Sequence, residues 1–290
     1  MQALWILAAG LCFAVMGVFV KAGARHFSTA ELVLYRSIIS AFVMLAAMRH
    51  RGVGLRTTRL GMHARRGILG FIALTMFFYT MTELPLATAV TLNYTSPLYM
   101  AVFALFIVGE RPRLVLTCSV IVGFGGAVML LRPTLSSDQW WPGMIGLASG
   151  GVSALTYYNV RALVRAGEPE LRVVFYYALV AALGSVIWIL PHGFNALNRE
   201  TIGPVIGVAA FGTLGQVFLT RAYGQGNTIV TAALSYSGIV FSSVLGIWIW
   251  GDVLTWTSWL AILIIVISGV VAVWKSNEAL TLVQAKVDND

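Results

Sequence analysis

The stretch LNYTSPLYMAVFALFIVGERPR (Leu92–Arg113) is apolar enough to cross a bilayer, yet it has a proline near its centre and ends in charge. A proline inside a helix removes one backbone hydrogen bond and clashes with the carbonyl four residues earlier, so Pro97 predicts a kink. Moved along the chain by 142 positions, Leu92–Glu110 meets LSYSGIVFSSVLGIWIWGD (Leu234–Asp252). Leu92/Leu234, Tyr94/Tyr236, Val102/Val244, Ile107/Ile249 and Gly109/Gly251 are identical, and Glu110 faces Asp252. Gly238 supplies a loosened helix at the place equivalent to the proline. At a spacing of 140, GLCFAVMGVFVKAGAR (Gly10–Arg25) meets GGVSALTYYNVRALVR (Gly150–Arg165), with Lys21 facing Arg161. Two separate segments thus give nearly one offset, which predicts a duplicated unit.

Composition sets the environment of that unit. Hydrophobic residues make up 59% of the 290 and charged residues 10%, with a mean hydropathy of +0.85, far from ordinary soluble domains. A crossing needs roughly 20 apolar residues, which leaves room for about ten. Candidate helices fall at 2–22, 30–48, 67–84, 87–108, 114–131, 142–164, 171–190, 204–222, 229–250 and 257–275. Strand alternation is absent, which excludes a transmembrane barrel. The fold class expected is an all-α membrane protein of ten transmembrane helices. The first repeat covers 1–133, the second 140–275, and a polar tail 276–290. Because five helices is an odd number, the second copy enters from the opposite side, giving two inverted five-helix repeats (5+5).

Charge gives the orientation. Lys21, Arg25, Arg132 and Arg199 fall on one side and Arg36 lies within the second span; the rest of the 19 Lys and Arg fall on the other side, including six in RHRGVGLRTTRLGMHARR (Arg49–Arg66). Both termini are therefore expected in the cytoplasm. The net charge of +8 is then loop charge that orients the spans, with no nucleic-acid partner implied. The first apolar run, Ala3–Val20, lacks a basic flank before it and a small-residue cleavage motif after it, and reads as a span. Cys12 and Cys118 lie in apolar runs without metal-ligand spacing.

Ten helices in two inverted halves, Arg36 within ELVLYRSIIS, and LPLATAVTLNYTSPLYMAVFALFIVGERP together resemble the drug/metabolite transporter superfamily, in its EamA-type ten-helix branch. Within that branch the chain looks most like the YddG-type amino-acid exporters. The resemblance covers nearly the whole chain and implies export of small metabolites, commonly amino acids and including aromatic ones, by alternating access in the inner membrane. Four-helix relatives in the superfamily depend on a glutamate in the first helix. Here LAAGLCFAVMGVFV has no acid, so that device is absent.

The residues themselves narrow the mechanism. No GxxxxGK[ST] loop occurs, so the chain is no ATP-driven pump by itself and needs no cofactor. Helix interiors lack Asp and Glu, which favours facilitated movement; Glu31, Glu83 and His26 near helix ends leave a shallow proton site open as the alternative. Arg36 has two readings: a grip on a substrate carboxylate, or bonds to backbone carbonyls. Arg36 and Glu83 are the possible charge contacts.

A cavity for zwitterions with large side chains combines aromatic walls with neutral polar groups. The candidates are Phe13 and Met16 on the first span, Tyr79 on the third, and Asn93, Tyr94, Ser96 and Tyr99 on the fourth. The sixth span adds Tyr157, Tyr158 and Asn159, the eighth Gln216, and the ninth Ser235, Tyr236 and Ser237, with Pro97 and Gly238 as flex points. The small residues of GLASG (Gly146–Gly150) and GPVIG (Gly203–Gly207) allow close helix packing within a monomer or in a weak dimer. The partners expected are a small-molecule substrate and membrane lipid. The cargo could instead be sugars, nucleosides or lipophilic drugs. An enzyme acting on lipid intermediates would need clustered His, Asp or Glu, and the four histidines are scattered. A channel would need a charged or carbonyl-rich filter.

Overall fold

The computed structural model describes residues 2–84, 86–103, 114–131, 139–190, 193–195, 197–198, 201–250, 255–257 and 259–271. All regular structure among them is helical: α1 (Gln2–Gly23), α2 (Thr29–His50), α3 (Leu60–Glu83), α4 (Leu86–Asn93), α5 (Ser96–Phe103), α6 (Leu114–Leu131), α7 (Trp140–Arg165), α8 (Glu170–Ile189), α9 (Ile202–Gln225), α10 (Thr228–Ser235), α11 (Ser237–Trp250) and α12 (Trp259–Val271). Four of the described helices, α1, α2, α8 and α9, are long and apolar enough to cross a membrane. The polar tail 276–290 and the Gly109-Glu110-Arg111 and Asp252 segments lie outside the described residues.

The stretch around Pro97 does more than bend. The helix stops at Asn93, Tyr94 and Thr95 make a turn, and a new helix starts at Ser96. Pro97 then sits in the first turn of α5, where its missing N–H breaks no helical bond. Tyr236 interrupts the aligned stretch Leu234–Asp252 in the same way, between α10 and α11, and Gly238 falls in the first turn of α11. The expected kinks are therefore chain breaks, each with a tyrosine at its centre.

These breaks are packed by glycines on α1 and α7. A Cβ on Gly10 would stand 3.2 Å from the Cα and N of Gly238. A Cβ on Gly150 would stand 3.1 Å from the Leu92 carbonyl oxygen and 3.2 Å from that of Asn93, and would strike Thr95 Oγ1. Gly10 and Gly150 are the residues that the spacing of 140 aligns. GLASG packs inside the chain, since Gly146 faces Thr80 and Leu92. In GPVIG, Gly207 faces the Phe19 ring of α1, while Gly203 has open space around it.

The main helix pairs are α1 on α9, α2 on α8 and α3 on α7, followed by α3 on α8, α1 on α11 and α2 on α9. Outward surfaces are apolar: Trp140, Trp141, Trp248, Trp256, Ile187, Phe42 and Val270 are all exposed. That is the reverse of a soluble domain and suits hydrocarbon as solvent.

Helix α3 starts at Leu60, seven residues before the sequence-based boundary, and this changes the standing of one charge. Arg66, placed by its neighbours in a basic loop, is inside the helix and 2% exposed. His63, Arg66, Gly67, Gly70 and Ala73 are all buried at helical spacing, so one buried face continues upstream through the charged residues.

At the end of the molecule where α3 and α8 begin, Glu168 ties three segments together. Gly167, with φ +86°, closes α7 in a conformation that favours glycine and turns the chain so that Glu168 is buried. Its carboxylate accepts from Thr57 Oγ1 at 2.5 Å, His63 Nε2 at 3.1 Å and Arg172 Nη1 at 2.9 Å. Arg172 Nε and the Tyr176 hydroxyl donate to the carbonyls of Gly54 and Leu55, each at 2.9 Å. The α2–α3 loop is thereby fastened to α8.

Burial alone would push the Glu168 carboxyl up, but the bonds from Thr57, Arg172 and His63 outweigh it and hold the group below its ordinary value. A depressed folded value stabilises the fold above the unfolded pKa, and that contribution is lost as pH falls through the folded value. The thermal midpoint should therefore be flat above about pH 5 and decline in acid. Glu168→Gln should destabilise the fold at pH 7 by about 1–2 kcal/mol, lowering the midpoint, and flatten the acid limb. An identical acid limb in the variant would remove Glu168 as its source.

Candidate substrate cavity

Helix α1 has one stripe, Ile6, Gly10, Phe13, Gly17 and Lys21, at steps of three and four residues, and this stripe forms one wall of a cavity of about 590 Å³. Packed beside it, α9 contributes Gln216, Leu219 and Tyr223. Helices α2 and α3 bring Arg36, Arg66, Gly70 and Phe77, and α7 and α8 bring Ser153, Thr156, Tyr157 and Tyr177. Both helix breaks reach the lining, through Asn93, Tyr94 and Ser96 at one and Ser235 at the other, and Ser242 and Ser243 of α11 join them. The volume suits a small metabolite.

Of the residues singled out from sequence, Phe13, Met16, Asn93, Tyr94, Ser96, Tyr157, Gln216 and Ser235 line this space. Tyr79, Tyr99, Tyr158, Asn159, Tyr236 and Ser237 are not among the lining, and most have other partners. The Tyr158 hydroxyl donates to the Met100 carbonyl at 2.7 Å. Asn159 accepts from Arg65 Nε and donates to the Leu155 carbonyl at 2.8 Å. Tyr99 lies against Phe103, and Tyr236 is buried beside Tyr94, ring centres 6.1 Å apart. The Tyr94 hydroxyl lies directly against Gly238, so the two breaks touch.

Glu83 is exposed at the end of α3, His26 is exposed, and neither lines the cavity. Glu31 is buried but committed: it completes a capping box with Ser28 and accepts from the Asn195 backbone at 2.6 Å and side chain at 2.8 Å.

The aromatic wall is built in pairs. Tyr157 and Tyr223 stack with ring centres 4.5 Å apart and planes 8° from parallel. Tyr177, on α8, holds two arginines: its ring lies 4.3 Å from the guanidinium carbon of Arg66 and 5.9 Å from that of Arg36. Its hydroxyl accepts from Arg36 Nη1 at 3.0 Å, while Arg36 Nη2 donates to the Gly212 carbonyl at 3.3 Å. The carbonyl reading of Arg36 is thus realised without removing the arginine from the cavity lining.

Arg66, Tyr177 and Tyr223 were not found by sequence reasoning. Arg66 was hidden by the helix boundary, and the signal that reveals it is the Arg66–Gly70 spacing of one turn. The two tyrosines lie on α8 and α9, outside the repeat-related spans that drew attention. Among the described residues no group of His, Cys, Asp and Glu is arranged to hold a metal.

Comparison with known proteins places this architecture. The EamA-like transporter family matches twice, over residues 1–132 and 141–274. The pseudopaline exporter CntI of Pseudomonas aeruginosa (strain UCBPP-PA14) is 31% identical over 246 residues, 84% of this chain and 86% of that protein. An S-adenosylmethionine uptake transporter of Rickettsia prowazekii (strain Madrid E) is 27% identical over 259 residues, covering 86% and 84%. One solved crystal structure shares the fold with a TM-score of 0.78 at 21% identity, covering 96% of this chain and 98% of that one.

Proposed function

The chain belongs to the EamA-like transporter family, and from that premise we propose that it exports amino acids and related small metabolites across the inner membrane by alternating access, without obligatory ion coupling. It is an integral membrane transporter of a small molecule and not an enzyme. The observation that carries the finer reading is the cavity itself, where both helix breaks, a tyrosine-rich wall and neutral polar groups converge.

The reading takes α4–α5 and α10–α11 as two broken crossings, so that the helices make ten spans in two inverted halves with both ends in the cytoplasm. The packing supports this. Exchanging the halves turns the α1–α9 pair into α7–α3, α3–α8 into α9–α2, and α1–α11 into α7–α5, all of which are in contact, while α2–α8 maps onto itself. In such a frame Pro97 and Gly238 mark the places where each half flexes as it rocks about the cavity. The described cavity lining contains no Asp or Glu, which favours downhill movement over a carboxylate proton relay. Export is the direction named for the Pseudomonas relative, while the Rickettsia relatives are named for uptake.

The test is uptake of labelled phenylalanine and of labelled glutamate by purified protein in liposomes, driven by the substrate gradient alone. Saturable uptake of either, competed by unlabelled amino acids, is the expected result. Absence of both from folded protein, with and without an imposed proton gradient, would remove the amino-acid cargo.

A further inference from the structure

Arg36 and Arg66 are each 2% exposed, and each occupies space that a glycine leaves open. A Cβ on Gly212 would strike Arg36 Nε, and one on Gly70 would strike Arg66 Nη1. The site is therefore built around the two guanidiniums, which flank one ring, Tyr177. Arg36 Nε and Arg66 Nε and Nη1 are buried and meet no hydrogen-bond partner among the described residues. Thr156 Oγ1, in the same lining, has none either.

Among the described residues no acidic side chain pairs with either arginine. Of the described acids, Glu31 is engaged by Ser28 and Asn195, Glu168 by Thr57, His63 and Arg172, and Glu170 by Arg221, while Glu83 is exposed. Lys21 adds a third cation to the lining. Two buried cations that line the cavity, with no described acid beside them and with buried donors left unbonded, leave a large uncompensated desolvation penalty. An acidic ligand removes that penalty, and a ligand with one carboxylate compensates only one of the two arginines.

We infer that the cavity binds a substrate carrying two acidic groups, one held by Arg36 and the other by Arg66, the two arginines that share Tyr177. This rests on the reading of the cavity as the transport site and narrows its cargo to dicarboxylate-bearing metabolites over neutral zwitterions. Guanidinium–carboxylate bonds are charge-assisted, and two per ligand give selectivity that a single contact lacks.

The probe is succinate against acetate, at matched ionic strength and constant chloride, read as the thermal midpoint of the purified protein in detergent. Succinate at several times its dissociation constant should raise the midpoint by about 2–4 °C beyond acetate. Arg36→Gln and Arg66→Gln should each abolish the difference, while Arg66→Lys, which keeps the charge and guards against a variant that fails to fold, should retain part of it. Equal shifts by the two anions in the wild type, or a succinate shift unchanged in both glutamine variants, would overturn the inference. Amino-acid uptake without a succinate effect would overturn it and leave the transport reading standing. A succinate effect without amino-acid uptake supports the site and removes only the amino-acid cargo.

Discussion

Gly150→Ala is expected to destabilise the protein by about 1–3 kcal/mol, whereas Gly151→Ala, one residue further, should be neutral or stabilise by up to about 1 kcal/mol. The opposite signs come from what each new methyl meets. At Gly150 it meets the Leu92 and Asn93 carbonyl oxygens at 3.1 and 3.2 Å and collides with Thr95 Oγ1. Those carbonyls belong to the break between α4 and α5 and cannot rotate away as a side chain would. At Gly151 the nearest atoms, on the Tyr99 ring, are 3.7 Å away, an ordinary contact, so the helix propensity of alanine is what remains. Gly150→Val should be worse still, with little folded protein recovered. Gly10→Ala should resemble Gly150→Ala, because its methyl meets the Gly238 backbone at 3.2 Å. Unfolding in mixed micelles would measure the series; equal stability of the Gly150 and Gly151 variants would refute the packing of the break.

Tyr177→Ala is expected to cost about 3–5 kcal/mol, the range for removing a buried aromatic side chain. Three losses combine. The ring fills space against Gly70, which has room for no other side chain there. The ring face lies 4.3 Å from the Arg66 guanidinium carbon, and desolvated cation–π contacts of this kind reach about 2 kcal/mol. The hydroxyl accepts from Arg36 at 3.0 Å, a charged hydrogen bond worth about 1.5–3 kcal/mol. These do not simply add, since the adjoining cavity can admit water to the freed arginines. Tyr177→Phe keeps the ring and loses only the hydroxyl, so it should fall between wild type and Tyr177→Ala. If Phe and Ala cost the same, the ring contributes nothing; if neither costs anything, Tyr177 does not hold the arginines.

Both expectations concern contacts between helices, and that marks where the sequence stops informing. Composition identified membrane-spanning helices because burial in lipid demands long apolar runs, and it did so without any tertiary knowledge. Pro97 located the break to within a few residues, because the loss of an N–H is a local matter. The shared offsets paired Gly10 with Gly150 and Tyr94 with Tyr236 before any packing was known. Tyr94, Tyr157 and Gln216 were legible as cavity candidates because polar and aromatic groups within an apolar span need a reason to be there.

Arg66 was not legible, because a charge at the edge of an apolar run looks like a loop residue until the helix is seen to start at Leu60. The role of Tyr177 was not legible either, because Arg36 reaches it across a separation of 141 residues. Sequence by itself determined the solvent of this protein and where its described helices run, and it marked the two broken places as kinks, since each follows from local spacing and composition. Only the tertiary structure decided that Arg36 and Arg66 share the Tyr177 ring and line a common cavity. Which side chains meet depends on where the helix axes cross, and here that is set by glycines whose missing side chains let α3, α8 and α9 close around the charges.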